Sequence, residues 1–268
     1  MKRVPLIFLL ITAFWMMGLS TLTWAESPKD PSPPPTAEEM EDEYKDEEPL
    51  TIPDPLEPFN RAMFTFNDKL YFWVLKPIAQ GYGEVVPETA RVGVNRFFNN
   101  LGFPIRFINC LLQGKFKGAL SEFGRFTINT VWGIGGLLDP AGDEDINLKA
   151  YHEDLGRTLA SYGIGHGIFI MWPVLGPSSL RDTVGSAGDL FLNPVSYVEP
   201  WYAGEAIKGY DKVNEVSLRI GDYESLKEAA IDPYIAVRNA YIQYRKQAGG
   251  RQGFITPPAK EKNIEGKP

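Results

Sequence analysis

Ser178 and Ser179 follow His166 at short range and precede Asp182, so one stretch holds the three side-chain types of an acyl-transfer triad. Such a triad needs its serine raised on a GxSxG turn between a strand and a helix. The sequence reads Gly176-Pro177-Ser178-Ser179-Leu180 instead, and serine just ahead of an apolar run is the pattern of a helix cap. His152-Glu153 starts like a zinc-protease helix, but the second histidine of HExxH is missing. Asp143-Glu144-Asp145 lacks the spaced ligands and closing glutamate of a calcium loop. The stretches Gly133-Ile134-Gly135-Gly136 and Gly163-Ile164-Gly165-His166-Gly167 contain no Gly-Lys-Ser/Thr and follow no strand signal, which removes the phosphate-loop and dinucleotide readings. The single cysteine, Cys110, excludes an intramolecular disulfide, a thiolate zinc site and a redox pair. No catalytic residue, metal or cofactor is expected, and the chain reads as a non-enzyme.

A second group of charged residues behaves differently. Arg125, Arg157, Arg181 and Asp139, Asp154, Asp182, Asp189 fall inside or beside apolar helices and Gly-rich turns. Ionisable groups in such surroundings are costly, so they pair with one another or face a wet passage. Two roles are therefore open: ion pairs that fix helix ends, or a polar lining that takes a phosphate headgroup, for which the arginine fork is well shaped.

The elements that must position these groups are mainly helical. Phe59, Met63, Phe66, Leu70 and Trp73 recur at three- and four-residue spacing, with Pro77 read as the end of that run. Pro87 and Pro104 suit the first turns of two more helices, the second closing at Gly114. Phe116, Leu120, Phe123, Phe126 and Thr130 trace a stripe over 115–132. Asp232-Pro233 combines an N-cap with a first-turn proline and launches Tyr234, Val237, Tyr241 and Tyr244 on one face. Strand character is confined to Ile168–Trp172. After residue 25 no stretch has the ~18 unbroken apolar residues of an ordinary spanning helix. Aromatic-bearing amphipathic helices joined by Gly-rich apolar turns fit either a protein lying partly in a bilayer or a water-soluble helical core.

Charge divides the chain of 268 residues into regions. Lys2 and Arg3, the apolar stretch Leu6–Met17 and small residues at Thr23 and Ala25 make residues 1–25 a secretory signal with cleavage after Ala25, the alternative being a retained anchor to which Leu19 and Leu22 extend the apolar character. No cysteine lies near that site for ordinary lipoprotein processing. Residues 26–50 carry ten acids against two lysines together with six prolines, the composition of an extended disordered spacer. A Gly- and Pro-containing tail, 249–268, reads the same way, which leaves 51–248 as the folded helical domain. Across 51–268 the net charge is −1, so there is no basic face for nucleic acid.

Asp54-Pro55-Leu56-Glu57-Pro58-Phe59-Asn60-Arg61, with Met63-Phe64 and Phe66-Asn67, resembles the opening motif of the MlaA (VacJ) family. The likeness runs in order through Leu112-Gln113-Gly114, Arg125-Phe126, Asn129-Thr130, Gly133, Gly135-Gly136 and Asp139 with Ala141-Gly142. It continues through Gly156, Thr158-Leu159, Tyr162-Gly163, Gly165, Gly167, Pro173, Gly176 and Arg181-Asp182, and closes on Asp232-Pro233-Tyr234, Val237-Arg238 and Ala240-Tyr241. The resemblance implies an all-α protein whose amphipathic helices form a ring around a central channel, partly embedded in one leaflet at the periplasmic face of the Gram-negative outer membrane. It implies a role in removing misplaced phospholipids from the outer leaflet and passing them to a periplasmic carrier, while an outer-membrane porin holds the protein in place. By the same likeness Gly163, Gly165 and Gly167 form a hinge at the channel mouth, Arg125, Arg181 and Asp182 belong to its lining, and the helix bearing Phe59, Met63, Phe66, Leu70 and Trp73 lies in the membrane. The sequence departs from the family's lipoprotein pattern in having no cysteine to acylate at the mature N-terminus.

Two other functions remain open on the residues alone. A periplasmic structural or surface-assembly protein would move no lipid and need no detergent. A lipid hydrolase would release fatty acid and lose activity on replacement of Ser178 or Ser179.

Overall fold

The computed structural model describes residues 52–247, so the signal (1–25), the spacer (26–50) and the tail (249–268) lie outside the described residues. Helix α1 (Glu57–Leu70) starts with Glu57 facing the positive end of the helix and Pro58 supplying a preset φ. Pro77 does not end this run, contrary to the sequence reading. A π-turn at Tyr71–Leu75 carries the chain into α2 (Lys76–Val85), and the Lys76 amide bonds the Tyr71 carbonyl five residues back. Widening the ladder by one residue just before the proline accommodates both its missing N–H and its ring.

Helix α3 (Glu88–Leu101) follows Pro87, and α4 (Phe103–Leu112) has Pro104 in its first turn. The chain turns at Gly114, in the left-handed conformation, and enters α5 (Phe116–Val131). Asp154 caps the short α6 (Leu155–Ser161) by accepting from the Arg157 amide. Strand β1 (Phe169–Trp172) then pairs antiparallel with β2 (Gly176–Ser179), in the register Phe169 to Ser179 and Trp172 to Gly176. The second strand was not foreseen, since Gly-Pro-Ser-Ser has neither β-branched nor aromatic residues. Ser179 accepts from the Asp182 amide and caps α7 (Leu180–Asp189), the role its position suggests. The order ends with α8 (Trp201–Leu218), α9 (Asp222–Ala229) and α10 (Pro233–Gln247), whose start is capped by Asp232 accepting from the Tyr234 and Ile235 amides. Apart from the small hairpin the fold is all-α.

Helix α4 packs on α5, α6 on α7, and α8 on both α2 and α3. The α6–α7 crossing is so close that a Cβ on Gly185 would lie 2.3 Å from the Gly156 nitrogen. One apolar cluster, built of Ile52, Phe169, Met171, Tyr234 and Ile242, ties the hairpin to α10, with Met63 and Phe64 of α1 against it.

Burial elsewhere is inverted. Among the described residues fourteen polar or charged side chains are buried against eleven apolar ones, while many large apolar side chains face outward. Water-soluble domains show the opposite balance. Much of the frame is joined by asparagine. Asn60 donates to the Phe169 carbonyl and accepts from the Met171 amide, and Asn67, two turns on, does the same for Trp172 and Val174. Asn109 links α4 to Asp189 and Thr158, Asn129 links α5 to Asp139 and Ala141, and Asn214 links α8 to Tyr82 and the Arg91 carbonyl.

Candidate functional site

The segment Gly163–Gly167 connects α6 to β1. Gly163 and Gly167 are left-handed, at φ +85° and +70°, a conformation that glycine adopts without steric cost. Gly165 is not, and a Cβ there would meet no atom within 4 Å. Ile164 and Tyr162 are exposed beside it. The backbone is held from below: Arg181 donates to the Ile164 carbonyl at 3.3 Å and faces His166 Nδ1 at 3.0 Å, and its amide bonds the His166 carbonyl. The segment is therefore an exposed loop with a fixed base.

That base continues into a buried ionic network. Arg181 Nε lies 2.9 Å from Asp182, Arg245 of α10 lies 2.8 Å from the same carboxylate, and Tyr241 donates to its other oxygen. Arg245 also grips Asp154 at 2.6 and 3.0 Å, so one guanidinium clamps the α6 cap, α7 and α10 together. Burial by itself would raise the Asp182 carboxyl, but hydrogen bonds from Arg181 and Tyr241 and the Arg245 charge hold it below its ordinary value. Burial pushes Asp189 up, and it accepts from the Leu155 amide and Asn109. Arg125, on α5, donates from Nη2 to both Asp139 oxygens at 2.8 Å and from Nη1 to the Leu148 carbonyl. Of the two roles open for these residues, the geometry displays ion pairing. Arg181 and Asp182 sit under the glycine loop, whereas Arg125 forms a separate cluster with Asp139 and Asn129.

The residues of the imagined triad have other partners. Ser178 Oγ faces Thr183 at 3.1 Å, Ser179 caps α7, and His166 turns toward Arg181. Burial, then the Arg181 charge, lowers the His166 pKa.

A cavity of about 550 Å³ opens between α1, the hairpin, the end of α8, α9 and α10. Phe64, Tyr71, Leu75, Met171, Val237 and Tyr241 give it apolar and aromatic walls, and Lys212, Glu215, Arg219 and Asp222 form a charged lip. The π-turn supplies Tyr71 and Leu75, so the irregular join between α1 and α2 shapes the cavity directly. Tyr71 is fixed by its hydroxyl bond to Glu224, which also pairs with Lys76 at 2.8 Å.

The outward faces are apolar. Phe59, Phe66 and Trp73 repeat every seven residues along α1 and its π-turn and are exposed, Trp73 to 74%. Met63 and Leu70 are half-buried beside them. On α5, Phe116, Leu120 and Phe123 are exposed, Leu120 to 72%, and Val131, Trp132 and Ile134 extend that surface past its end. Among the described residues no helix is long and apolar enough to cross a membrane.

Sequence reasoning named Asn60, Asn67 and Tyr241 only as motif positions and assigned no role to them, to Arg245 or to the cavity lip. A seven-residue spacing of asparagines, one position on from an identical spacing of phenylalanines, was the available sign for the first two.

A family model described as MlaA lipoprotein matches residues 52–248. The intermembrane phospholipid transport system lipoprotein MlaA of Escherichia coli K12 is 36% identical over 194 residues, covering 71% of this chain and 76% of that protein. Its namesake in Haemophilus influenzae is 36% identical over 197 residues, with 71% and 76% covered. An uncharacterised Rickettsia felis protein is 34% identical over 200 residues, with 74% and 78% covered. A solved structure, from work on the structural basis for maintenance of bacterial outer membrane lipid asymmetry, superposes with a TM-score of 0.65 at 34% identity, covering 74% of this chain and 99% of that one. By the family model that spans its folded part and by these relatives, the chain belongs to the MlaA lipoprotein family.

Proposed function

We propose that this protein removes misplaced phospholipids from the outer leaflet of the Gram-negative outer membrane and passes them to a soluble periplasmic carrier, thereby maintaining lipid asymmetry. The inverted burial carries this reading. Large side chains such as Trp73, Leu120 and Phe116 are exposed on helices too short or too polar to span, which suits a body sunk partway into one leaflet from the periplasmic side. Each of them gains on the order of 1–2 kcal/mol on leaving water for lipid tails. The names of the Escherichia coli and Haemophilus influenzae relatives, and the lipid-asymmetry context of the solved structure, point the same way.

In this reading the helices surround a channel, the glycine loop at Gly163, Gly165 and Gly167 hinges at its mouth, and an outer-membrane porin holds the assembly in place. Arg125, Arg181 and Asp182 keep the frame around the passage rigid by their pairing. A headgroup cannot cross hydrocarbon cheaply, so the protein offers it a wet path while its tails stay in lipid. No bond is made or broken, and direction comes from the carrier that takes the lipid away. The embedded surface, the partner and an uncleaved signal are the routes of attachment this reading offers. Cys110, the one cysteine in the given sequence, is buried in α4.

The test is chemical labelling of outer-leaflet phospholipid in cells with and without the protein. Its loss should raise labelling, and equal labelling in both strains removes the proposal.

A further inference from the structure

The charged lip of the cavity has a pattern that bears on which phospholipid is handled. Lys212 and Glu215 stand three residues apart on α8, Arg219 caps its C-terminal end four residues on, and Asp222 opens α9, all four lining the cavity. Signs alternate along the row, with about 10 Å of helix between the two cations. Lys212 lies 3.0 Å and Arg219 3.7 Å from Glu215, so one carboxylate serves both.

These pairs differ in kind from the network under the glycine loop. Arg181, Asp182 and Arg245 are at most 8% exposed and could not trade partners without stranding a buried charge. Lys212 and Arg219 are more than half exposed, and such pairs add little to stability, so exchange is cheap. A phosphate replacing Glu215 on Lys212 and Arg219 releases that carboxylate. Glu215 is then left without its cations, in the same cavity lining as the exposed Asp222.

We infer that this lip is a headgroup station selecting zwitterionic over anionic phospholipids, with Lys212 and Arg219 taking the phosphate and Glu215 and Asp222 the ammonium. The inference rests on the phospholipid reading above and adds a headgroup class to it. A zwitterionic headgroup answers every charge in the row, whereas a purely anionic one leaves both acids unanswered and repelled. The apolar walls behind, including Phe64, Met171 and Val237, receive the upper part of a tail.

The test incubates the full chain with vesicles of phosphatidylethanolamine and phosphatidylglycerol in equal parts, re-isolates it, and quantifies bound lipid by mass spectrometry. Bound phosphatidylethanolamine should exceed phosphatidylglycerol about fivefold. Glu215→Gln alone, and with Asp222→Asn, should bring the ratio toward that of the vesicles, while Lys212→Gln with Arg219→Gln should lower the total. Phospholipid bound in the vesicle ratio, or a preference untouched by Glu215→Gln, overturns the headgroup assignment and leaves the transport reading standing. Binding of neither lipid sinks both.

Discussion

Replacing Asn60 by leucine tests whether side-chain amides hold the frame. Asn60 is 0% exposed and makes three bonds: to Asp54 at 2.7 Å, to the Phe169 carbonyl at 3.1 Å and from the Met171 amide at 2.8 Å. Leucine has nearly the same shape and no polar atom. Asp54 keeps Tyr234 and Arg238, but the two β1 backbone groups lose their partner in a dry interior. Each stranded group costs about 1–3 kcal/mol, and the added apolar burial returns part of it, which leaves a net loss of about 2–4 kcal/mol. Asn67→Leu is the matched control, because its bond from the Val174 amide is exposed and water can replace it. The assay is denaturant unfolding in mild detergent, with hydrogen exchange at the Met171 amide as the local readout. Asn60→Leu should shift the midpoint strongly and open β1 to exchange, while Asn67→Leu costs about 1 kcal/mol or less. Equal losses for the two variants would refute the argument.

Gly165→Val should leave stability within about 0.5 kcal/mol, since nothing crowds that position, yet raise outer-leaflet phospholipid labelling; normal labelling would end the hinge assignment. Phe116→Glu with Leu120→Glu should move the protein from the membrane to the soluble fraction with its circular dichroism unchanged, because each buried charge costs up to about 3 kcal/mol in hydrocarbon; unchanged partitioning would count against the embedded face. Burial, then the Arg181 charge, holds the His166 pKa below its ordinary 6.5 in the folded protein. The unfolded ring is protonated first as pH falls, so stability is fully present above that value and declines just below it. His166→Gln should flatten this slope in thermal melts between neutral and mildly acidic pH, leaving the part due to His152, which burial and then Arg106 lower in the same direction. A slope unaffected by the substitution would show that the ring is not shielded.

What could be read without coordinates was local. The caps at Asp232 and Ser179, the stop at Gly114 and the strand beginning near Ile168 depend on neighbours a few residues away, and the structure has them all. Pro77 misled because the π-turn that accommodates it leaves no mark in the apolar periodicity. Strand β2 was missed because its pairing is imposed by β1 and the tight turn at Val174, not by its own residue types. The cost of charge in apolar surroundings singled out Arg125, Arg181 and Asp182, yet the partnership of Asp182 with Arg245 and Tyr241 joins segments some sixty residues apart. At the lip, the three- and four-residue spacing of Lys212, Glu215 and Arg219 is common on any helix, and only the cavity they line sets them apart.

The asparagine joints have a consequence for how the molecule tolerates change. An amide that gives one bond and takes another at fixed reach has no substitute: aspartate cannot give, leucine can do neither, and glutamine is a methylene too long. The oily exterior asks only for bulk and an absence of charge, so phenylalanine, leucine and tryptophan can trade places there. Alteration should thus be absorbed on the outside and refused at a handful of seams within, the reverse of a globule held together by its grease.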